Sequence, residues 1–277
     1  MGELTGDRIA SGGQWPTGRV QIVKVGRRRL VAAGVAVAVG GALLSGCGPL
    51  RAEGGRGSSA ESVEAAASAL IAEVSLSFHY VAQSGENQTM DQQLEIKNIA
   101  RGSVAPVLAF TALDRNGQAM PQITVGTVYG SDRGNLVVPY GTSIDILRFS
   151  GAGEQDVADV RVTLRSAAAA RISAGQHDVK AQALDSQGHE VTRFERFSAV
   201  RLTNEDDFPV AVRVAYILWD RPPKGVTQQA VEVTPVGGLT EVPAHGSAVV
   251  PVTGDAAAAV ARNADGPAVS LKAYSSQ

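Results

Sequence analysis

Two stretches, "LEIKNIARGSVAPVLAFTALD" (residues 94–114) and "VRLTNEDDFPVAVRVAYILWD" (residues 200–220), carry one pattern at a shift of 106. At that shift Leu94, Ile96, Asn98, Leu108, Phe110, Ala112 and Asp114 meet Val200, Leu202, Asn204, Val214, Tyr216, Leu218 and Asp220. Apolar residues alternate on either side of a polar break, the period of strands that bury one face. A fixed shift held this long marks an internal duplication.

The correspondence extends outward. "VSLSFHYVAQSG" from Val74 parallels "VKAQALDSQG" from Val179, "VVPYGTSI" (137–144) parallels "EVPAHGSAV" (241–249), and "VRVTLRS" matches "AVSLKAYS". Features keep their order in both halves, at a period near 105 residues. The apolar fraction of 44%, with Gly 31, Pro 12 and only 5% aromatic residues, suits turn-rich β structure. "DRNGQ", "SQGHE", "RPPKG" and "VGG" read as turns, as does "GTS" at 141–143. The expected fold is all-β: two tandem immunoglobulin-like β-sandwich domains, 60–166 and 178–277, joined around 165–178. A short helix opens the first domain: Ser58 and Glu61 have capping-box spacing, and Val63, Ala66, Ala67, Leu70, Ile71 and Val74 follow at helical intervals.

The amino-terminal region reads as an address. Arg27, Arg28 and Arg29 precede an uncharged run of about 15 residues, short of the roughly 20 that cross a bilayer as a helix. Positive charges, a short apolar core and small residues form an export signal. Leu44-Ser45-Gly46-Cys47 resembles the lipobox of bacterial lipoproteins, and Cys47 is the only cysteine. The resemblance implies cleavage before Cys47, with Leu44, Ser45 and Gly46 as the recognition residues. It also implies a diacylglyceryl thioether on the Cys47 sulfur. Residues 1–46 are then a signal peptide with an extended n-region, and 47–59 a flexible tether. "GRRRLV" suits either a twin-arginine or a general export route. An uncleaved anchor with an incidental cysteine is the competing reading.

"YILWD" (216–220) resembles the Phe-x-Leu-Tyr-Asp signature of FxLYD-type domains of prokaryotic secreted proteins and lipoproteins. Tyr216 replaces Phe, Trp219 replaces Tyr, and Leu218 and Asp220 match. "FTALD" keeps Phe110 and Asp114, with Ala112 for Leu and Leu113 for Tyr; Asn98 and Asn204 occupy the upstream Asn position. The resemblance implies an extracellular immunoglobulin-like fold and transfers no catalytic residue. From the residues themselves, Asp is expected to close each strand by accepting turn amides.

Chemistry is sparse. Six basic residues (Arg8, Arg19, Lys24, Arg27, Arg28, Arg29) and two acids (Glu3, Asp7) precede Cys47, leaving 19 Lys+Arg against 25 Asp+Glu beyond it. A mildly acidic body without a basic cluster argues against nucleic acid as partner. His79, His177, His189 and His245 stand in no i, i+3 or i, i+4 pair, and no phosphate loop, nucleophile elbow or zinc-helix motif is present. "TNEDDF" (203–208) is the densest acidic run and reads as a solvated turn rather than a calcium loop. Phe194, Phe197 and Phe208 are core candidates. No catalytic residue, metal site or cofactor is assigned. The expected function is a non-enzymatic, membrane-anchored lipoprotein facing the extracytoplasmic side. It would bind or scaffold another envelope protein. A small-ligand or metal-binding receptor with its pocket in the crease between domains is the alternative, and an envelope hydrolase the third reading.

Overall fold

Alternating burial sets the strands. The computed structural model describes residues 75–83, 90–170, 175, 177–223, 225–266 and 268–277. The first repeat supplies β1 (Leu76–Val81), β2 (Gln93–Asn98), β3 (Val104–Leu113), β4 (Thr124–Thr127), β5 (Gly141–Ser150) and β6 (Asp159–Ala169). The second supplies β7 (Lys180–Leu184), β8 (Glu190–Val191), β9 (Ala199–Thr203), β10 (Val210–Trp219), β11 (Ala230–Val242), β12 (Ser247–Pro251) and β13 (Val269–Ser275). One helix, α1 (Gly254–Asn263), lies between the last two strands. The chain is mostly β, and every named strand pair is antiparallel. Among the described residues no helix is long and apolar enough to cross a membrane. The helix expected over 58–74 lies outside the described residues.

Pairing repeats as the alignment does. The β1–β2–β5 order of the first repeat matches β7–β9–β12 of the second, and β3–β6 matches β10–β13. The isolated bridge Val104↔Val138 recurs as Val210↔Val242. Strand β6 runs to Ala169, so the joint starts later than the alanine run suggests.

β10 carries the assembly. Val210, Val212, Val214 and Tyr216 belong to the core of the second repeat. Ala215, Ile217 and Trp219, of opposite parity, belong to the core of the first, with Leu94, Ile96, Leu108, Ile146 and Phe149. Such near-continuous burial is what a strand covered on both faces requires. The described residues accordingly fall within one compact unit. Polar contacts line the seam: Arg148 donates through Nε to the Ala230 carbonyl at 2.7 Å and through a terminal nitrogen to that of Val231 at 2.9 Å. Tyr129 stacks on Tyr274, ring centroids 4.6 Å apart.

Departures from the sequence reading have local causes. "VGG" is no turn: Gly237 lies inside β11 at a break in register with β10, with φ of 67°. A Cβ there would lie 2.5 Å from Val250 Cγ1, so glycine permits both the bulge and the close approach. "GTS" starts strand β5 instead of turning. Helix α1 is not expected from the β pattern, although Ala256, Ala259, Val260 and Asn263 recur on one buried face, with Asp255 in its first turn. It packs against β11, and Asn263 Nδ2 donates to the Ala259 carbonyl at 2.9 Å.

The first repeat departs most where β11 has its counterpart. There β4 leaves the β3 edge and pairs with β5. The crossing leaves amides without a ladder, and fully buried Asp145 accepts them: Tyr129 N at 2.7 Å, Ser131 N at 3.0 Å and Ile146 N at 2.7 Å. Burial pushes the Asp145 carboxyl above the ordinary carboxylate range, opposed in part by those amide bonds.

Because both cores share β10, urea unfolding should follow a single transition, with Trp219 fluorescence and far-ultraviolet dichroism coincident. Trp219→Ala should lower its free energy by about 3–5 kcal/mol without splitting it. Separate transitions would refute the shared core. A carboxyl raised in the folded state binds its proton earlier than in the unfolded chain. Its contribution to stability therefore grows as pH falls through the folded value, and is complete below the unfolded one. Stability-against-pH curves of the parent and Asp145→Asn should differ by that acidic rise; parallel curves would exclude it.

Candidate functional site

Cys47 and the recognition residues Leu44, Ser45 and Gly46 lie outside the described residues. The described signature positions are structural. Asn98, with 0% exposure, donates from Nδ2 to the carbonyls of Gly102 at 2.9 Å and Val138 at 3.2 Å, while its Oδ1 accepts Ala100 N at 2.9 Å. Asn204, with 1%, repeats the set: Nδ2 to the carbonyls of Phe208 at 2.9 Å and Val242 at 3.3 Å, and Oδ1 from Asp206 N at 2.9 Å. Each asparagine thus closes the turn between two strands and ties it to a third segment, satisfying buried groups that no ladder reaches.

Asp114 and Asp220 end β3 and β10. Asp114 Oδ1 accepts the amides of Asn116 and Gln118, both at 2.8 Å, and Asp220 Oδ1 accepts that of Gln229 at 2.7 Å. Tyr216 is buried against Phe197, centroids 5.9 Å apart, whereas its counterpart Phe110 is only partly buried. Leu218 packs on the edge of the Tyr216 core. Trp219 faces the other core and donates from Nε1 to Ser270 Oγ at 3.0 Å.

Every histidine meets a carboxylate, and none meets its sequence neighbour. His79 lies 3.3 Å from Glu95, His177 2.7 Å from Asp206, His189 3.3 Å from Asp185 and His245 2.8 Å from Asp207. The acidic turn is thus contacted by His177, Lys180 and His245, with Lys180 donating to Glu205. Only Asp206 is buried; the exposed pairs contribute at most about 1 kcal/mol each. Among the described residues no group of three or more His, Cys, Asp or Glu is arranged to hold a metal ion.

One cleft of about 480 Å³ opens beside the short strand β8, lined by Gln182, Glu190, Arg193, Phe194, Glu195 and Leu271 among others. The cleft follows from the brevity of β8, which pairs with only Ala183 and Leu184 of β7. Arg193 Nε donates to the Val269 carbonyl at 2.8 Å, and its guanidinium lies 4.6 Å over the Phe194 ring. Phe194 is thus exposed, while Phe197 is buried and Phe208 partly so. Glu195 accepts the amide and hydroxyl of Thr192, which hold its carboxyl below the ordinary range. The arrangement offers one cationic fork over an aromatic ring between two acids, with the Thr192 hydroxyl donating to Glu195 at 2.8 Å. Alternation and turn chemistry do not foreshadow it, because it assembles from β7, β8, the turn after β8 and β13.

Asn204→Ala should destabilise the protein by about 2–3 kcal/mol, the cost of stranding several buried groups, with Asn98→Ala similar. Equilibrium denaturation measures both; losses under 0.5 kcal/mol, the usual limit for neutral surface changes, would refute the closing role.

No protein-family model, curated protein or solved structure matches the chain.

Proposed function

We propose that the chain is an exported bacterial lipoprotein, acylated on Cys47 after cleavage behind Leu44-Ser45-Gly46. Its body of two immunoglobulin-like, FxLYD-type sandwich repeats binds or scaffolds another envelope protein without catalysis. The observation that carries the body of this reading is the matched closure of both repeats by Asn98 and Asn204. Asp114 and Asp220 at equivalent strand ends support the same reading. These residues build a frame and leave loops and sheet faces to carry recognition. The address rests on the charged stretch, the short apolar core and the sole cysteine. Two or more acyl chains, each methylene worth about 0.8 kcal/mol, make attachment stable.

The cleft at Arg193 favours a second reading, a receptor for a small anionic molecule such as a carboxylate or phosphate ester. The guanidinium fork suits such groups, and the cleft volume lies within the range of small-molecule sites. Calorimetry over carboxylates and phosphates, with stoichiometric heat lost in Arg193→Ala, would favour this reading over the first.

Fatty-acid labelling in cells tests the anchor. Cys47→Ala should abolish incorporation and move the protein from the membrane to the soluble fraction. Undiminished labelling would overturn the assignment. Crosslinking on intact cells should capture a defined envelope protein, whereas saturable turnover of an envelope substrate by the purified protein would displace the non-enzymatic reading.

A further inference from the structure

The first repeat changes character at the end where the chain enters it. Ile99 N donates to the Ser75 carbonyl at 3.0 Å, so the first described residue lies beside the turn after β2. Ile99 and Tyr140 follow and precede the last register pair, Asn98↔Gly141. Both are strongly exposed, Ile99 at 61% and Tyr140 at 69%, and Ile144 lies further along the same row of β5 at 39%. Lys97 opposes Thr142 between them on this outer face, and Arg101 is exposed in the same turn as Ile99. The segments that meet here, 75–78, 96–104, 137–143 and 168–170, contain no Asp or Glu. That is unusual in a body carrying 19 Lys+Arg against 25 Asp+Glu. Glu95, across from Ile144, bounds the patch and is paired with His79 at 3.3 Å.

We propose that this end of the first repeat is a bilayer-docking surface. Ile99 and Tyr140 seat at the level of the headgroups, while Lys97 and Arg101 meet anionic lipid phosphates. An isoleucine and a tyrosine suit that depth, where an apolar body and a hydroxyl tip are both accommodated. Each Lys or Arg near an anionic surface strengthens binding about fivefold, and a carboxylate here would oppose it. Four such side chains do not hold a protein on a membrane alone. The inference therefore rests on the Cys47 anchor: the chain between Cys47 and Ser75 ends at this surface, so an anchored protein presents it to lipid at high effective concentration. Docking would fix the orientation of the body, with β10 and the Arg193 cleft belonging to the repeat further along the chain.

The test uses the mature protein beginning at Cys47, purified from the membranes of the cells that make it, on vesicles with brominated acyl chains, either zwitterionic or about one-third anionic. Tyr140→Trp places a reporter in the surface, and the parent protein with buried Trp219 supplies the baseline. Emission of the variant should be quenched about twofold relative to the parent on anionic vesicles, and less on zwitterionic ones, in high salt, or with Arg101→Glu added. Ile99→Ser should weaken quenching while leaving Tm unchanged, since the side chain is exposed. Mass analysis of the Cys47 peptide reads the anchor separately. Acylated, vesicle-bound protein whose Tyr140→Trp reporter stays unquenched overturns the docking surface and leaves the anchor standing. Membrane-purified protein with an unmodified Cys47 refutes the anchor and, with it, the docking that rests on it, whatever the quenching. Shielding of the reporter from aqueous quencher without vesicles, reversed by Leu70→Ser, overturns the proposal by assigning the patch to the chain's own preceding segment.

Discussion

Burial of β10 on both faces is the constraint on which the rest of the structure depends. One face packs Val210, Val212, Val214 and Tyr216 into the second repeat, and the other packs Ala215, Ile217 and Trp219 into the first. Each fully buried side chain of this size contributes roughly 1.5–3 kcal/mol, so losing either face would remove a large share of a domain's net stability. The duplication therefore does not yield two interchangeable beads. One repeat keeps its long strand within its own core, and the other lends its strand to both. With a single cysteine, placed at residue 47, neither core contains a disulfide, and shared apolar packing takes over that role.

Polar closures make such packing unique. Asn98 and Asn204 fasten equivalent turns, and Asp114 and Asp220 finish equivalent strands. Asp145 has no counterpart, because the corresponding position in the second repeat is apolar Val250 on β12. It is needed where β4 changes sheets: the second repeat satisfies its amides along the β10–β11 ladder, while the first brings a buried carboxylate to the crossing. A buried ionisable group is costly, and three amide donors explain how it is accommodated.

The strand pattern was legible because alternation and turn residues are local signals. The repeat alignment sets Asn98 against Asn204, and Trp219's opposite parity to Tyr216 is visible, though not that parity assigns it to the other repeat's core. Glycine misled at "VGG", where Gly237 serves a bulge facing Val250, since turns and bulges use the same positive φ. The alanines of α1 were passed over beside the β pattern despite high helix propensity. The cleft at Arg193 and the Ile99–Tyr140 surface were not legible, because each joins residues distant in sequence through sheet register.

By itself, the sequence determined the all-β character, the period of the repeat and the polar positions at which turns close, because each depends on residue type at short spacing. Tertiary structure alone decided which core each face of β10 enters, that β4 crosses to the opposite sheet, and that Asp145 receives the displaced amides. Those outcomes depend on how two sandwiches share surface. Register and burial across chain separations of a hundred residues set that sharing, and no local pattern encodes it.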